Sequence, residues 1–216
     1  MIRHDIERYW REIAVLADAM PYAAICQVAE TLLDCHRRGG TIFLIGNGGS
    51  AATASHFVCD LAKGVRGGQQ PPFRAISLSD NMPLITAWGN DTSFDRVFAE
   101  QLAPLVRSGD VVILISASGN SPNVLLAAQT ARVARAETIA LTGRSGGRLA
   151  QLVDQSVRVP SDLIEQVEDA HLVIAHSVCV TLRANLEDEY PIAGSDQVWD
   201  IRQDRLVDRF VGEAGS

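Results

Sequence analysis

A chain of 216 residues, 47% hydrophobic and 21% charged, is long enough for one compact core with an extra element, which excludes the disordered and fibrous classes. Its 19 Lys and Arg against 26 Asp and Glu leave a formal charge of −7, a field that repels phosphate backbones and argues against nucleic-acid binding. No apolar run approaches the ~20 residues of a membrane span, and the charged start MIRHDIERYWREI has no signal-peptide core, so a cytoplasmic protein without membrane contact is expected.

The first segment, Ile2 to Arg38, predicts one or two helices. Ile6, Tyr9, Ile13, Leu16 and Met20 recur at helical steps, and Ile25, Val28, Leu32 and Cys35 resume them after Pro21, until Gly39-Gly40 closes the segment. Two signals then alternate. Short β-rich runs fall at Thr41–Ile45, Phe73–Leu78, Val111–Ser116, Thr138–Thr142 and Ser156–Val159, with helical stretches at Ser50–Lys63, Phe94–Val106, Ser121–Arg135 and Arg148–Val153. The runs IFLIG and VVILIS are continuously apolar, as a parallel strand covered by helices on both faces requires. A long helix follows from Asp162 to about Glu187, and the tail Val198–Phe210 has weak helical spacing. The expected architecture is α/β: a three-layer α/β/α sandwich on a five-stranded parallel sheet, with an N-terminal helical extension (1–38), a core (41–187) and a C-terminal extension (188–216) in one domain. Ligands of such open sheets sit beyond the carboxyl ends of the strands.

Two strand-to-helix junctions carry the first functional signal. Gly46-Asn47-Gly48-Gly49-Ser50 stands between IFLI and the helix SAATASHFVCDLAK, where glycines bring bare N–H groups up to an anion and Ser50 is a candidate cap. The segment is neither a dinucleotide fingerprint nor a P-loop, because the Gly-x-Gly-x-x-Gly spacing and the Gly-Lys-Ser/Thr end are both missing. Ser116-Ala117-Ser118-Gly119-Asn120-Ser121-Pro122-Asn123 follows DVVILI, with Pro122 suited to a first helical turn. Hydroxyls and free N–H groups can hold a phosphate without a Lys or Arg, which fits a small phosphorylated metabolite. Gly89-Asn90-Asp91 precedes another helical stretch, where Asp91 is a candidate cap. A Ser-His-Asp hydrolase is a poor reading, because the serines of the second junction cluster as a phosphate cradle would.

The ionisable groups give the second signal. His56 and Asp60 are four apart on one helical face, and Glu165, Glu168, His171 and His176 crowd an otherwise apolar helix. A carboxylate with an imidazole can move a proton next to a carbonyl, and the same groups are zinc ligands. His171 is expected on a solvated or partner-facing helix edge. Cys26, Cys35, Cys59 and Cys179 form no Cys-x-x-Cys pair and read as small buried hydrophobes in a reducing compartment.

GNGGSAATASHF with SASGNSPNV resembles the sugar isomerase (SIS) domain, a flavodoxin-like fold, and EDAHLVIAH on the late helix narrows the resemblance to the phosphoheptose isomerases. It covers nearly the whole chain to about Glu187. The resemblance implies an aldose–ketose isomerase that converts sedoheptulose 7-phosphate to a D-glycero-D-manno-heptose 7-phosphate through an enediol. It implies Asp60 and His176 as the catalytic pair and one Zn2+ per subunit on His56, Asp60, Glu168 and His176. It implies substrate contacts at Asn47, Gly48, Gly49, Ser50, Asn90, Asp91, Ser116, Ala117, Ser118, Ser121, Glu165 and Glu168, and a homotetramer with sites at subunit boundaries. Three positions depart from the family pattern: Asp60 replaces the usual Glu, Glu168 replaces the usual Gln, and Lys63-Gly64 replaces Gly-Arg. The alternatives are a non-catalytic SIS scaffold that binds a protein partner and an isomerase of another sugar phosphate. Glu168 and His176, eight residues apart, stand ~12 Å apart along an ideal helix, so one ion could reach both only from between them.

Overall fold

The computed structural model describes residues 2–65, 71–189, 197–200 and 205–208. Helices α1 (Ile2–Asp18) and α2 (Tyr22–Arg37) meet at 72°. The break falls at Pro21, whose missing N–H and fixed φ end the first helix's ladder. Strands β1 (Thr41–Gly46), β2 (Arg74–Ser77), β3 (Val111–Ile115), β4 (Glu137–Thr142) and β5 (Gln155–Arg158) form one parallel sheet in the order β2-β1-β3-β4-β5. The connections carry α3 (Gly49–Cys59), α4 (Met82–Asp91), α5 (Val97–Leu102) and α6 (Pro122–Val133), and α7 (Ile164–Glu189) follows β5. This is the expected flavodoxin-like order, with its reversal between β1 and β3.

The alternation of side chains along the central strands builds the three layers. Ile42, Leu44, Ile113 and Ile115 pack with Leu32, Phe57, Ile174 and Val178 on one face. Phe43, Ile45, Val112 and Leu114 pack with Phe98, Leu102 and Val124 on the other. Because both faces are covered, β3 is apolar throughout and β1 is apolar after Thr41, and each buried Leu or Ile contributes ~1.5–3 kcal/mol relative to an exposed one.

Several elements differ from their sequence reading. The stretch 148–153 is only a 3-10 turn, Leu149–Gln151, following two glycines that hold positive φ. The stretch 94–106 is a 3-10 turn, Phe94–Arg96, plus the short α5. A helix that the sequence reading did not assign, α4, stands between β2 and that turn; none of its residues is fully buried, and it rests on the core through half-buried Ile85 and Trp88. Gly89, Asn90 and Asp91 therefore end one helix just before the turn that leads into α5. Its cap is Asn81, whose side chain accepts the Leu84 N–H at 3.1 Å, and Asp91 caps nothing. Of the tail's expected helical spacing, Ile201 and Phe210 lie outside the described residues, and the described parts are strands: β6 (Gln197–Asp200) pairs antiparallel with β7 (Arg205–Asp208), setting Val198 opposite Val207 and Trp199 opposite Leu206. Such β-branched and aromatic residues favour strands over a weak helical spacing. All four thiols are free, but only Cys35 and Cys179 are buried, while Cys26 and Cys59 are exposed. No single helix among the described residues is long and apolar enough to cross a membrane.

Candidate active site

The first junction turns on Gly48, which takes φ +54° as the residue before α3, a conformation that a Cβ disfavours. Ser50 lies inside the helix, 5% exposed, so its expected capping role falls to the backbone of Gly48. Gly49 is required for a different reason. A Cβ there would stand 2.5 Å from both carboxylate oxygens of Glu168, which rests against this backbone from α7.

The second junction is tied internally. The Ser116 hydroxyl, 5% exposed, accepts the Gly119 N–H at 3.2 Å and stands 3.4 Å from the Ser121 hydroxyl. Gly119 takes φ +62°, and a Cβ on it would collide with the carbonyl of Gly146. Ser118 accepts the Asn120 N–H and stays exposed, and Ala117 is half-buried with its carbonyl held by the Gly143 N–H at 2.9 Å. Pro122 opens α6 as expected, with Ser121 before it. The two junctions are fastened together by Asn47 and Asn123, whose side-chain amides exchange two hydrogen bonds, each 2.9 Å long.

Asn123 lay inside the second junction without an assigned role, and Ser55, Ser79 and Asp80 were not singled out by the sequence reading. Ser79 follows β2, and its hydroxyl donates to the carbonyl of Gly46 at 3.0 Å; the Ser55 hydroxyl bonds to Asp80. The signal for this third junction was present: polar residues at a strand end, then Asn81 and Pro83 opening a helix.

The ionisable cluster is assembled by two helices that run side by side in the same direction. Glu168 faces Gly49 at one end, and His176 faces His56 farther along, ~10–12 Å away at 1.5 Å per residue. His56 Nε2 lies 2.9 Å from His176 Nε2, and the Asp60 Oδ2 atom lies 3.4 Å from the first and 3.7 Å from the second. The imidazoles are 48% exposed and the carboxylate 28%, so the three face an open surface that a substrate can reach. Among the described residues, these three alone form a group whose ligand atoms lie within 4.8 Å of one another. Glu168 stands outside it. Glu165 is exposed near the start of α7, and Asn90 and Asp91 are exposed at the end of α4, where the Asn90 amide donates to Asp91 at 2.9 Å.

His171 is not on a helix edge. It is fully buried, its Nε2 lies 3.3 Å from the carbonyl of Thr142, and burial pushes its pKa down from 6.5 to about 4. One turn beyond His176, Cys179 is buried, and its thiol is pushed up to about 12 by that burial; the negative Asp60 adds to the shift and Arg183 opposes it. A cavity of about 480 Å³ lies between α1, α2 and α7, is lined by residues such as Ile13, Leu16, Ile25 and Val178, and contains none of the candidate site residues. Its apolar wall offers nothing to a sugar phosphate.

An open parallel sheet with glycine and serine junctions at its carboxyl edge, flanked by a carboxylate and two imidazoles, defines an α/β protein with a ligand site beyond its strand ends. The family model for the SIS domain matches residues 8–143. Phosphoheptose isomerase of Trichlorobacter lovleyi is 38% identical over 164 residues, 76% of this chain and 83% of that protein. The structure of phosphoheptose isomerase from Neisseria gonorrhoeae superposes with a TM-score of 0.79 at 32% identity, covering 85% of this chain and all of that one. That of the Francisella tularensis phosphoheptose isomerase gives 0.79 at 34%, over 85% and 99%. The chain belongs to the SIS-domain family and, within it, to the phosphoheptose isomerases; it is an isomerase.

Proposed function

We propose that the chain interconverts sedoheptulose 7-phosphate and D-glycero-D-manno-heptose 7-phosphate through an enediol. The observation that carries this reading is the convergence of His56, Asp60 and His176 from two helices, with the imidazole nitrogens 2.9 Å apart. The exchange needs a base at carbon and an acid at oxygen. Asp60, an acceptor when ionised, takes a proton from C1 of the ketose. The C–H electrons become the C1=C2 bond while His176 delivers a proton to the C2 oxygen. Reversal at the other carbon, with O1 giving up its proton and C2 gaining one, yields the aldose. The 3.7 Å between Asp60 and His176 lets both groups address adjoining carbons of one sugar.

Ser116, Ser118 and Ser121, with the backbone of Ala117 and the start of α6, are assigned to the phosphate. Asn47, Gly48, Gly49, Ser50, Asn90, Asp91, Glu165 and Glu168 are assigned to the sugar chain. Two imidazole nitrogens and a carboxylate oxygen within 4.8 Å of one another suit Zn2+, so we propose that His56 Nε2, Asp60 Oδ2 and His176 Nε2 would hold the ion, which would leave Nδ1–H of His176 and the second oxygen of Asp60 for the proton transfers. When bound, the ion polarises substrate oxygens. We also propose a cytoplasmic homotetramer with sites at subunit boundaries. Exposed Ile6, Trp10 and Val15 on α1, Val173 and Val180 on α7, and the unburied α4 support assembly, and four free thiols fit a reducing compartment. Sedimentation of a monomer would count against the assembly.

The test is NMR in deuterated water with metal-replete protein and sedoheptulose 7-phosphate. Solvent deuterium should enter at C1 and C2 as aldose accumulates. Turnover of a different sugar phosphate alone would reassign the substrate, and no exchange with any of them would remove the isomerase assignment from this site.

A further inference from the structure

Resting on the assignment of His56, Asp60 and His176 as the reactive centre, we propose that Arg183 is a positioning residue that locks the turn carrying Asp60 and so aims its carboxylate at the two imidazoles. The helix that bears His56 is α-helical only to Cys59. From Asp60 to Gly64 the chain winds as a π-turn, with the Val65 N–H donating to the carbonyl of Asp60 at 2.9 Å. A π-turn inserts one extra residue and redirects every side chain on it, and such turns concentrate at functional sites because they are costly to hold. Leu61 and Val65 pin its inner side in the core, at 0% and 1% exposure.

Its outer side is held from α7. Arg183 Nε donates to the carbonyl of Gly64 at 2.8 Å, closing the turn's last residue onto the helix that carries His176. Gly64 also shows where the guanidinium lies relative to the carboxylate. A Cβ there would have Asp60 Oδ1 at 3.6 Å and Arg183 Nη2 at 3.7 Å, so the two charges flank one glycine. Asp60 is thus divided: Oδ2 faces the imidazoles, and Oδ1 faces the glycine beside Arg183. The sequence places Lys63-Gly64 where the family pattern has Gly-Arg, and here the cation reaches the turn from a different helix. Lys63 itself is exposed.

The shorter Asp makes this clasp matter. A side chain with one fewer methylene reaches the imidazoles only if its backbone is held close, and the backbone hydrogen bond from Arg183 supplies that hold.

The test uses the full chain with Arg183→Met and Arg183→Lys. Arg183 is exposed, so both variants should melt within a few degrees of the parent. Co2+ titrated by its visible absorption reads the three-ligand group, and amide exchange at Val65 reads the turn. In Arg183→Met, Co2+ affinity should fall about tenfold or more, Val65 should exchange about tenfold faster, and kcat should drop with KM nearly unchanged. Arg183→Lys, which keeps the charge, should recover part of each. If Arg183→Met matches the parent within twofold in Val65 exchange, or in Co2+ affinity where the parent binds Co2+, the positioning role is overturned. If the parent binds no Co2+, the metal assignment fails, and Val65 exchange with the kcat/KM split still decides Arg183.

Discussion

His56 and His176 stand edge to face, ring centroids 4.9 Å apart, across the seam between α3 and α7, although 120 residues separate them in the chain. At a nitrogen separation of 2.9 Å, one ring must donate if the other accepts, or both must turn their lone pairs to a shared cation. The second arrangement is the one a zinc ion uses. His176→Ala and His56→Ala should each lose stoichiometric zinc by elemental analysis. His176→Ala should also lower kcat by ~10²–10⁴ as a proton-transfer group is removed. His56→Ala retains Asp60 and His176 and should lower it less. Both side chains are half exposed, so melting temperatures should move by only a few degrees; equal zinc content in parent and variants would end the metal assignment.

The carboxylate of Glu168 occupies the space that a Gly49 side chain would need. Its end is flexible, so Gly49→Ala should displace the carboxylate instead of breaking the fold, costing about 1 kcal/mol or less. The consequence should then be functional. If Gly49 serves to let Glu168 lie against the loop, Gly49→Ala and Glu168→Ala should change kcat/KM by similar factors, and the double variant should be no worse than either single one. Strictly additive losses would show that the two residues act separately.

How much of this was legible in the chain follows from the range of each interaction. The central strands were readable because they are buried on both faces, so IFLIG and VVILIS carry their environment in their composition. Helix α4 was not, because it meets the core only through half-buried Ile85 and Trp88, two positions that make no periodic stripe, and the tail's four-residue strands are too short to outweigh a chance spacing. At the site, the i,i+4 relation of His56 and Asp60 was local and visible. That His176, and not Glu168, completes the group depends on the offset between two helices, a tertiary fact. His171 was misplaced for the same reason: on a helix packed along its whole length, spacing does not say which His faces the sheet.

The paired amides of Asn47 and Asn123 join the glycine junction to the serine junction. Asn123 is 2% exposed, so Asn123→Ala leaves the Asn47 amide without its partner, at a cost of about 1–3 kcal/mol. Asn123→Asp brings an acceptor against both amide groups and satisfies only the donor. Both variants should unfold at lower urea concentration. Both should also raise KM for the sugar phosphate more than they lower kcat, because the loops that hold the ligand lose their mutual registration while the His56–Asp60–His176 group is untouched. An unchanged KM in a folded variant would separate this pair from substrate binding.

His171 gives the fold an acid-side dependence whose sign is fixed. The carbonyl of Thr142 is an acceptor, so Nε2 must carry the proton, and the buried Nδ1 has no partner in the structure. Protonating Nδ1 would place a charge in the core, which is why burial lowers the pKa from 6.5 to about 4. The unfolded chain therefore binds the proton more readily. The stabilisation from keeping His171 neutral is complete above pH ~6.5 and is lost as the pH falls toward ~4. A gap of this size corresponds to about 3 kcal/mol across the window. Urea unfolding at fixed protein concentration should show the parent losing stability steeply between pH 6.5 and 4. His171→Gln can still donate to Thr142 but cannot take up the proton, so its slope there should be shallower by about 1–3 kcal/mol. Parallel profiles for the two proteins would mean that other groups set the acid limit.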